Sequence, residues 1–332
     1  MKGHADAAIA CHGAATVEKR GLAGMKRGEG AGPWPYLCLV LATLCWAGNF
    51  ILGRAMNSDI PPVALNFWRW SLACILLLPF TMASIWRQRQ TIKEHAPILV
   101  LLAVTGVSAF NTLVYLSLHT TSSINAALMI AAVPLMVPTL SFLINGTAVT
   151  PAQVAGTAVS LAGALVLITK CDMDKVMALE FVKGDILMLV AAMVWSLYTV
   201  LLARRPRQID GIVFLNTITI IGLLVLLPFY LMELAGGAGF RPSLPNLATI
   251  VYVALFATIT AFVAWNHAVA RIGPNRAGLF IHCLPLFTAI LAIVLLGEGL
   301  YGYHIVGAGL VGLGIYLSAR PSARRREGDV KE

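Results

Sequence analysis

Residues 95–169, HAPILVLLAVTGVSAFNTLVYLSLHTTSSINAALMIAAVPLMVPTLSFLINGTAVTPAQVAGTAVSLAGALVLIT, run for 75 positions without one Asp, Glu, Lys or Arg. A membrane helix takes about 20 apolar residues to cross about 30 Å of hydrocarbon, so this interval has room for three. Turn-forming clusters divide it where that reading needs them, at His119-Thr120-Thr121-Ser122-Ser123 and at Asn145-Gly146-Thr147. The other charge-free intervals, 30–53, 70–86, 186–203, 211–232, 242–270, 277–297 and 299–319, supply one helix each. The predicted spans are therefore 36–55, 62–86, 97–118, 122–144, 151–169, 185–203, 212–232, 247–270, 276–296 and 303–319.

Composition agrees. Hydrophobic residues make up 58% of 332, charged residues 12%, and the mean hydropathy is +0.81. Soluble domains run near 25% charged, so the lipid bilayer is the expected surrounding of an all-α integral membrane fold. The formal charge of +9 does not indicate nucleic acid, because the basic residues sit in short clusters between apolar runs and form no basic face. Six cysteines without a CxxC pair argue against a disulfide framework or structural zinc. Residues 1–33, Gly- and Ala-rich with scattered Lys and Arg, read as a disordered cytosolic tail, and residues 320–332 as a basic cytosolic tail.

Orientation follows from the loops. With the N-terminus in the cytosol, 18 of the 24 Lys and Arg fall on that side, five on the other, and Arg69 lies within a span. An odd number of spans would destroy that asymmetry. Both termini are expected in the cytosol, in the cell membrane.

Laid on itself, the chain repeats. Trp46 matches Trp195 and Pro79-Phe80 matches Pro228-Phe229 at an offset of 149; Ala126 and Pro134 match Ala277 and Pro285, and Gly156 and Gly163 match Gly307 and Gly314, at 151. Each half, 36–169 and 185–319, holds five spans. An odd number forces the second half to enter the bilayer upside down, giving ten transmembrane helices as a 5+5 inverted repeat. That is the architecture of secondary transporters, whose two halves exchange conformations to open a central site to either side.

These residues resemble the drug/metabolite transporter superfamily, specifically an EamA-type transporter with two EamA repeats. The resemblance rests on Trp46-Ala47-Gly48-Asn49, Arg69, the stretch from Tyr115 through Ala126 to Pro134, its partner from Asn266 through Ala277 to Pro285, and Gly297-Glu298 followed by Gly307 and Gly314. The first half departs from the pattern, with Thr147 standing where Glu298 stands in the second. The resemblance implies a carrier of small metabolites, with export of amino acids or related compounds ahead of sugar or nucleotide-sugar carriage. It also implies a central cavity lined by spans 1, 3, 4, 6, 8 and 9.

Candidate cargo-binding residues are the polar and aromatic side chains at mid-depth: Trp46, Asn49, Arg69, Asn111, Tyr115, Tyr198, Trp265, Asn266 and His282. Arg69 is the one charge deep in a span. Its guanidinium suits a carboxylate or phosphate, and equally a tie to carbonyls or to a polar neighbour such as Asn49. Pro134 and Pro285 should kink their helices. Gly307, Gly309, Gly312 and Gly314 should pack against a neighbouring helix. No span carries a deep Asp or Glu, so a coupling proton, if the carrier uses one, falls to His267 or His282. No motif indicates catalysis, a metal, a cofactor or a particular oligomeric state.

Overall fold

Nine helices among the described residues are long and apolar enough to cross a membrane, and a 22-residue helix ahead of them brings the run to ten. The computed structural model describes residues 32–55, 60–172, 182–239, 242–297 and 299–319. Most of the predicted N-tail, the C-tail, Lys175, Arg241, Glu298 and the side chain of Arg54 lie outside them. The spans are α1 Trp34–Ala55, α2 Pro62–Arg87, α3 Ala96–Leu118, α4 Ile124–Asn145, α5 Pro151–Thr169, α6 Lys183–Arg204, α7 Gly211–Ala235, α8 Leu244–Ile272, α9 Pro274–Leu295 and α10 Gly302–Ala319. Among the described residues there is no strand.

Local chemistry sets the ends. Thr150 and Gln153 form a capping box at α5, the Thr150 Oγ1 accepting from the Gln153 amide at 3.2 Å and the Gln153 side chain from the Thr150 amide at 3.0 Å. Ser122 and Ser243 accept from the amides three residues on, at α4 and α8. Gly146 and Gly297, matched across the repeat, end α4 and α9 with φ of 64° and 70°. The carboxylate of Glu233 at the end of α7 accepts from the Val63 and Ala64 amides, at 3.1 and 2.6 Å, so an anion sits on the positive end of α2.

The inverted repeat is visible in which residues meet their own counterparts. Helix α5 packs on α10, α2 on α7 and α4 on α9, each span against its own counterpart, as elements beside a twofold axis in the membrane plane do. A Cβ on Gly156 would stand 2.5 Å from the Gly314 carbonyl oxygen, and one on Gly163 2.8 Å from that of Gly307. The axis exchanges these two contacts. Gly309 and Gly312 face nothing within 4 Å, so only two of the four predicted packing glycines of α10 serve that seam.

α6 ends in a 3₁₀ turn at Leu202–Arg204; four other spans depart from regular α-helix within their length, again in matched pairs. α3 has a π turn at Val104–Ala109 and α8 one at Val253–Thr260. α4 breaks between Ile130 and Val133, and α9 passes through a 3₁₀ turn at Leu279–His282. Pro134 and Pro285 stand just past these two breaks, where each withholds the amide that would bond to Ile130 or Ile281. The π turns carry no sequence signal of that kind and were not anticipated.

Candidate functional site

Where the halves meet, Trp46 and Trp195 stand edge to face with ring centroids 5.0 Å apart. They are repeat partners, so the axis passes between them. Phe110, Phe262 and Trp265 close around the pair, with centroid distances from Trp195 of 4.7, 5.6 and 5.6 Å. Beside this cluster lies a small cavity of about 30 Å³. Trp46, Trp195 and two apolar pairs from the helix breaks, Ile130 with Val133 and Ile281 with Leu284, give it a nearly symmetric wall. The rest of the lining, Asn49, Phe110, Asn111 and Val114, comes from α1 and α3 alone.

The bias toward the first half has a steric cause. At an offset of 151, Asn111 corresponds to Phe262 and Val114 to Trp265. Both larger side chains are at most 1% exposed and fill the space that the first half leaves open. The cavity admits a water-sized guest or two, whereas metabolite pockets run to about 300 Å³ or more. This is therefore a closed conformation, and a metabolite enters only when the lining helices part.

Arg69 lies one layer behind the cavity. It is 1% exposed. Its Nε donates to Thr258 Oγ1 at 2.9 Å, one Nη to Asn111 Oδ1 and the Tyr115 hydroxyl at 3.0 Å each, and the other to the Ala257 carbonyl at 3.3 Å. Four donor interactions thus join α2 to α3 and to the π turn of α8. A π turn displaces the carbonyl ladder by one residue and leaves an oxygen without its helical partner. Ala257 O is such an oxygen, and it also accepts from Trp46 Nε1 at 3.0 Å. In α3 the carbonyls of Val107 and Ser108 are met instead by Asn66 Nδ2, at 3.3 Å each. The predicted alternative partner of Arg69, Asn49, is reached through Tyr115, whose hydroxyl donates to Asn49 Oδ1 at 3.3 Å.

Of the nine candidates, Trp46, Asn49 and Asn111 line the cavity, and Arg69 and Tyr115 hold those amides from behind. Trp265 packs on Trp46 and Trp195. Tyr198 donates to Asn266 Oδ1 at 2.9 Å on the α6–α8 side. His282 is not in the lining; its ring turns to Ser160 and Ala131. Sequence reasoning left out the apolar wall residues, and their matched positions, Ile130 with Ile281 and Val133 with Leu284, are the signal that could have found them. Among the described residues no group of His, Cys, Asp or Glu could hold a metal ion.

Residues 33–169 and 182–320 each match the EamA-like transporter family, and the chain belongs to it. It is a multi-pass membrane transporter. Over 290 residues it is 29% identical to an "uncharacterized transporter" of Archaeoglobus fulgidus, covering 85% of this chain and 96% of the relative. It is 27% identical to a "probable terminal-alkyne amino-acid exporter" of Streptantibioticus cattleyicolor (87% and 95% covered) and 23% to a "probable amino-acid metabolite efflux pump" of Salmonella typhimurium (84% and 92%). A crystal structure superposes with a TM-score of 0.69 at 18% identity, covering 86% of this chain and 96% of the other, which shows the same fold.

Proposed function

We propose that this carrier exports amino acids or closely related small metabolites across the cell membrane by alternating access, with both termini in the cytosol. The carrying observation is the small cavity on the pseudo-twofold axis, walled by the repeat partners Trp46 and Trp195. Its lining carries the amides of Asn49 and Asn111 and the rings of Trp46 and Trp195; the buried Trp195 Nε1 has no hydrogen-bond partner among the described residues. A lining of aromatic faces with a few neutral donors and acceptors suits a cargo of modest size and small net charge. Phosphorylated cargo is disfavoured, because the guanidinium of Arg69 is already engaged with four oxygens and the described lining carries no other cation. The amino-acid export named for two relatives points the same way. The 18-to-5 division of basic residues supports the orientation.

The test is transport by the purified full chain in phosphatidylethanolamine and phosphatidylglycerol vesicles loaded with a panel of labelled neutral amino acids. The expected result is exchange of at least one panel member, lost in Asn49→Ala with Asn111→Ala. Exchange indifferent to that double change, in a variant that keeps its thermal stability, would overturn the reading.

A further inference from the structure

His282 forms the end of the 3₁₀ turn in α9, is fully buried, and is the repeat partner of Ala131 in the break of α4. The two partners touch: the His282 Nε2 lies 3.1 Å from the Ala131 carbonyl oxygen. The break itself makes that oxygen available. The amides of Leu135 and Met136 both turn to Ala132 O, at 3.0 and 3.1 Å, so Ala131 O is bypassed by the helix ladder. On its other side, Nδ1 lies 2.7 Å from Ser160 Oγ on α5, and Ser160 Oγ lies 3.1 Å from the Thr157 carbonyl oxygen.

This set of atoms satisfies either protonation state of the ring. In the neutral form Nε2–H donates to Ala131 O and the Ser160 hydroxyl donates to Nδ1. In the protonated form both ring N–H groups donate, to Ala131 O and to Ser160 Oγ, while the hydroxyl hydrogen turns to Thr157 O. Only a hydroxyl hydrogen moves between the two. The device occurs once, because the counterparts of Ser160 and Thr157 are Val311 and Ala308.

Among the described residues the surroundings contain no competing carboxylate. Helices α4, α5 and α10 and the rest of α9 pack against this turn, and α1 meets it through Tyr36 on Phe280. Their described titratable side chains are Arg276 and Cys283 on α9, Tyr303, His304 and Tyr316 on α10, and Tyr36, Cys38 and Cys45 on α1; α4 and α5 carry none. His304 is engaged near the start of α10, its Nδ1 accepting from the Tyr301 amide at 3.0 Å. A charge on a fully buried ring that has only neutral partners is costly, so the ring is neutral in this closed form. The flanking residues Ile130, Val133, Ile281 and Leu284 all line the cavity. Opening the cavity therefore displaces the same two breaks that hold His282, and gives water and protons a route to it.

We propose that His282, with Ser160 as its relay, is the binding site for a coupling proton, so that the carrier exchanges cargo against protons. This rests on the transport reading, and two measurements separate the failures. In vesicles, with labelled phenylalanine and leucine as probes, wild type should show efflux accelerated by an inward pH gradient at least about fivefold, the low end of coupling between two sites. His282→Gln should keep gradient-free counterflow of the same probes while losing that acceleration, and Ser160→Ala should keep the acceleration with a displaced pH midpoint. Acceleration surviving in His282→Gln, or absent from a wild type that does carry the probes, overturns the proposal. The second measurement needs no cargo. In ¹⁵N-histidine spectra of the full chain in detergent, the resonances missing from His282→Gln should be those of a neutral ring at about pH 8 and move toward those of a protonated ring as the pH is taken below the ordinary imidazole range, because charging the ring must first open the closed form. Static resonances overturn the proton site even if the probes are carried; titrating resonances with no probe carried overturn the transport reading alone.

Discussion

The Tyr198 hydroxyl donates to Asn266 Oδ1 at 2.9 Å, and the pseudo-twofold axis maps this pair onto Asn49 and Tyr115 with the residue types exchanged. α1 supplies the amide and α3 the phenol in the first half; α6 supplies the phenol and α8 the amide in the second. The same hydrogen bond closes the same helix pair from opposite directions. Because Tyr115 also accepts from Arg69, the first-half pair, unlike the second among the described residues, is hydrogen-bonded to a charged group.

The second-half pair is thus a two-member network, and its energetics can be isolated. Asn266→Ala strands the fully buried Tyr198 hydroxyl, at a cost of about 1–3 kcal/mol. Asn266→Leu combined with Tyr198→Phe removes donor and acceptor together and should lie much nearer wild type. Thermal unfolding in detergent, monitored by circular dichroism, checks both, and a double variant as unstable as the single one would refute the pairing.

Arg69 should behave as a strut. Arg69→Ala leaves Thr258, Asn111, Tyr115 and Ala257 O without their shared donor, and hydrogen bonds to a charged group contribute about 1.5–3 kcal/mol each. The expected outcome is a large loss of folded protein. Arg69→Lys keeps the charge and loses the planar fork, so it should fold with lowered thermal stability and keep its KM for cargo within about twofold, since uniform binding is untouched. A KM raised more than tenfold in a variant of near-normal stability would instead place the guanidinium on the cargo.

Much of this architecture was legible from charge alone. Forcing Asp, Glu, Lys and Arg out of hydrocarbon marks helix ends within a few residues, which is why 97–118 and 151–169 nearly coincide with α3 and α5. The repeat was legible because Trp46, Pro134 and Gly156 have steric roles that an axis must duplicate. The π turns were not, since one extra residue per turn leaves no mark in Val104–Ala109 or Val253–Thr260. For the same reason the partners of Arg69 were hidden: the oxygen it finds at Ala257 exists only because of such a turn. The position of the cavity depends on Phe262 standing opposite Asn111, a difference between two halves that single-helix periodicity does not show.

The glycine seam separates neighbours on one helix. Gly163→Ala places a Cβ 2.7 Å from the Val311 amide nitrogen and 2.8 Å from Gly307 O, both backbone atoms, so α5 and α10 must move apart. Overpacking of this kind costs on the order of 1–3 kcal/mol. Gly309→Ala meets nothing within 4 Å and replaces a poor helix former, so it should be neutral or stabilising by up to about 1 kcal/mol. Thermal unfolding of the two variants side by side checks the contrast.

The orientation can be read with the protein's own thiols. Cys171, just past the end of α5, is exposed, while Cys38, Cys45, Cys74 and Cys283 are buried. If the termini are cytosolic, Cys171 faces outward. A membrane-impermeant maleimide should then label a Cys11→Ser variant in intact cells, and Cys171→Ser should abolish that labelling. Labelling that appears only after the membrane is permeabilised would invert the topology.

The two axial tryptophans, alike in packing, differ at one atom. Trp46 Nε1 donates to Ala257 O at 3.0 Å, whereas Trp195 Nε1 has no partner among the described residues although the ring is 2% exposed. In the corresponding π turn of α3 the Asn66 amide meets the carbonyls of Val107 and Ser108, and the Asn111 amide that of Gly106. Phe in place of either Trp keeps an aromatic face and deletes the N–H. Trp46→Phe should therefore lose about 1 kcal/mol for the missing hydrogen bond, beyond the loss of ring area common to both. Trp195→Phe loses no such bond and should be the more stable of the two. Its effect belongs in transport: if the free N–H meets an oxygen of the cargo, KM rises several-fold with the maximal rate little changed. Unfolding midpoints and the concentration dependence of efflux, measured on both variants, distinguish the tryptophan that holds the closed form from the one that receives the cargo.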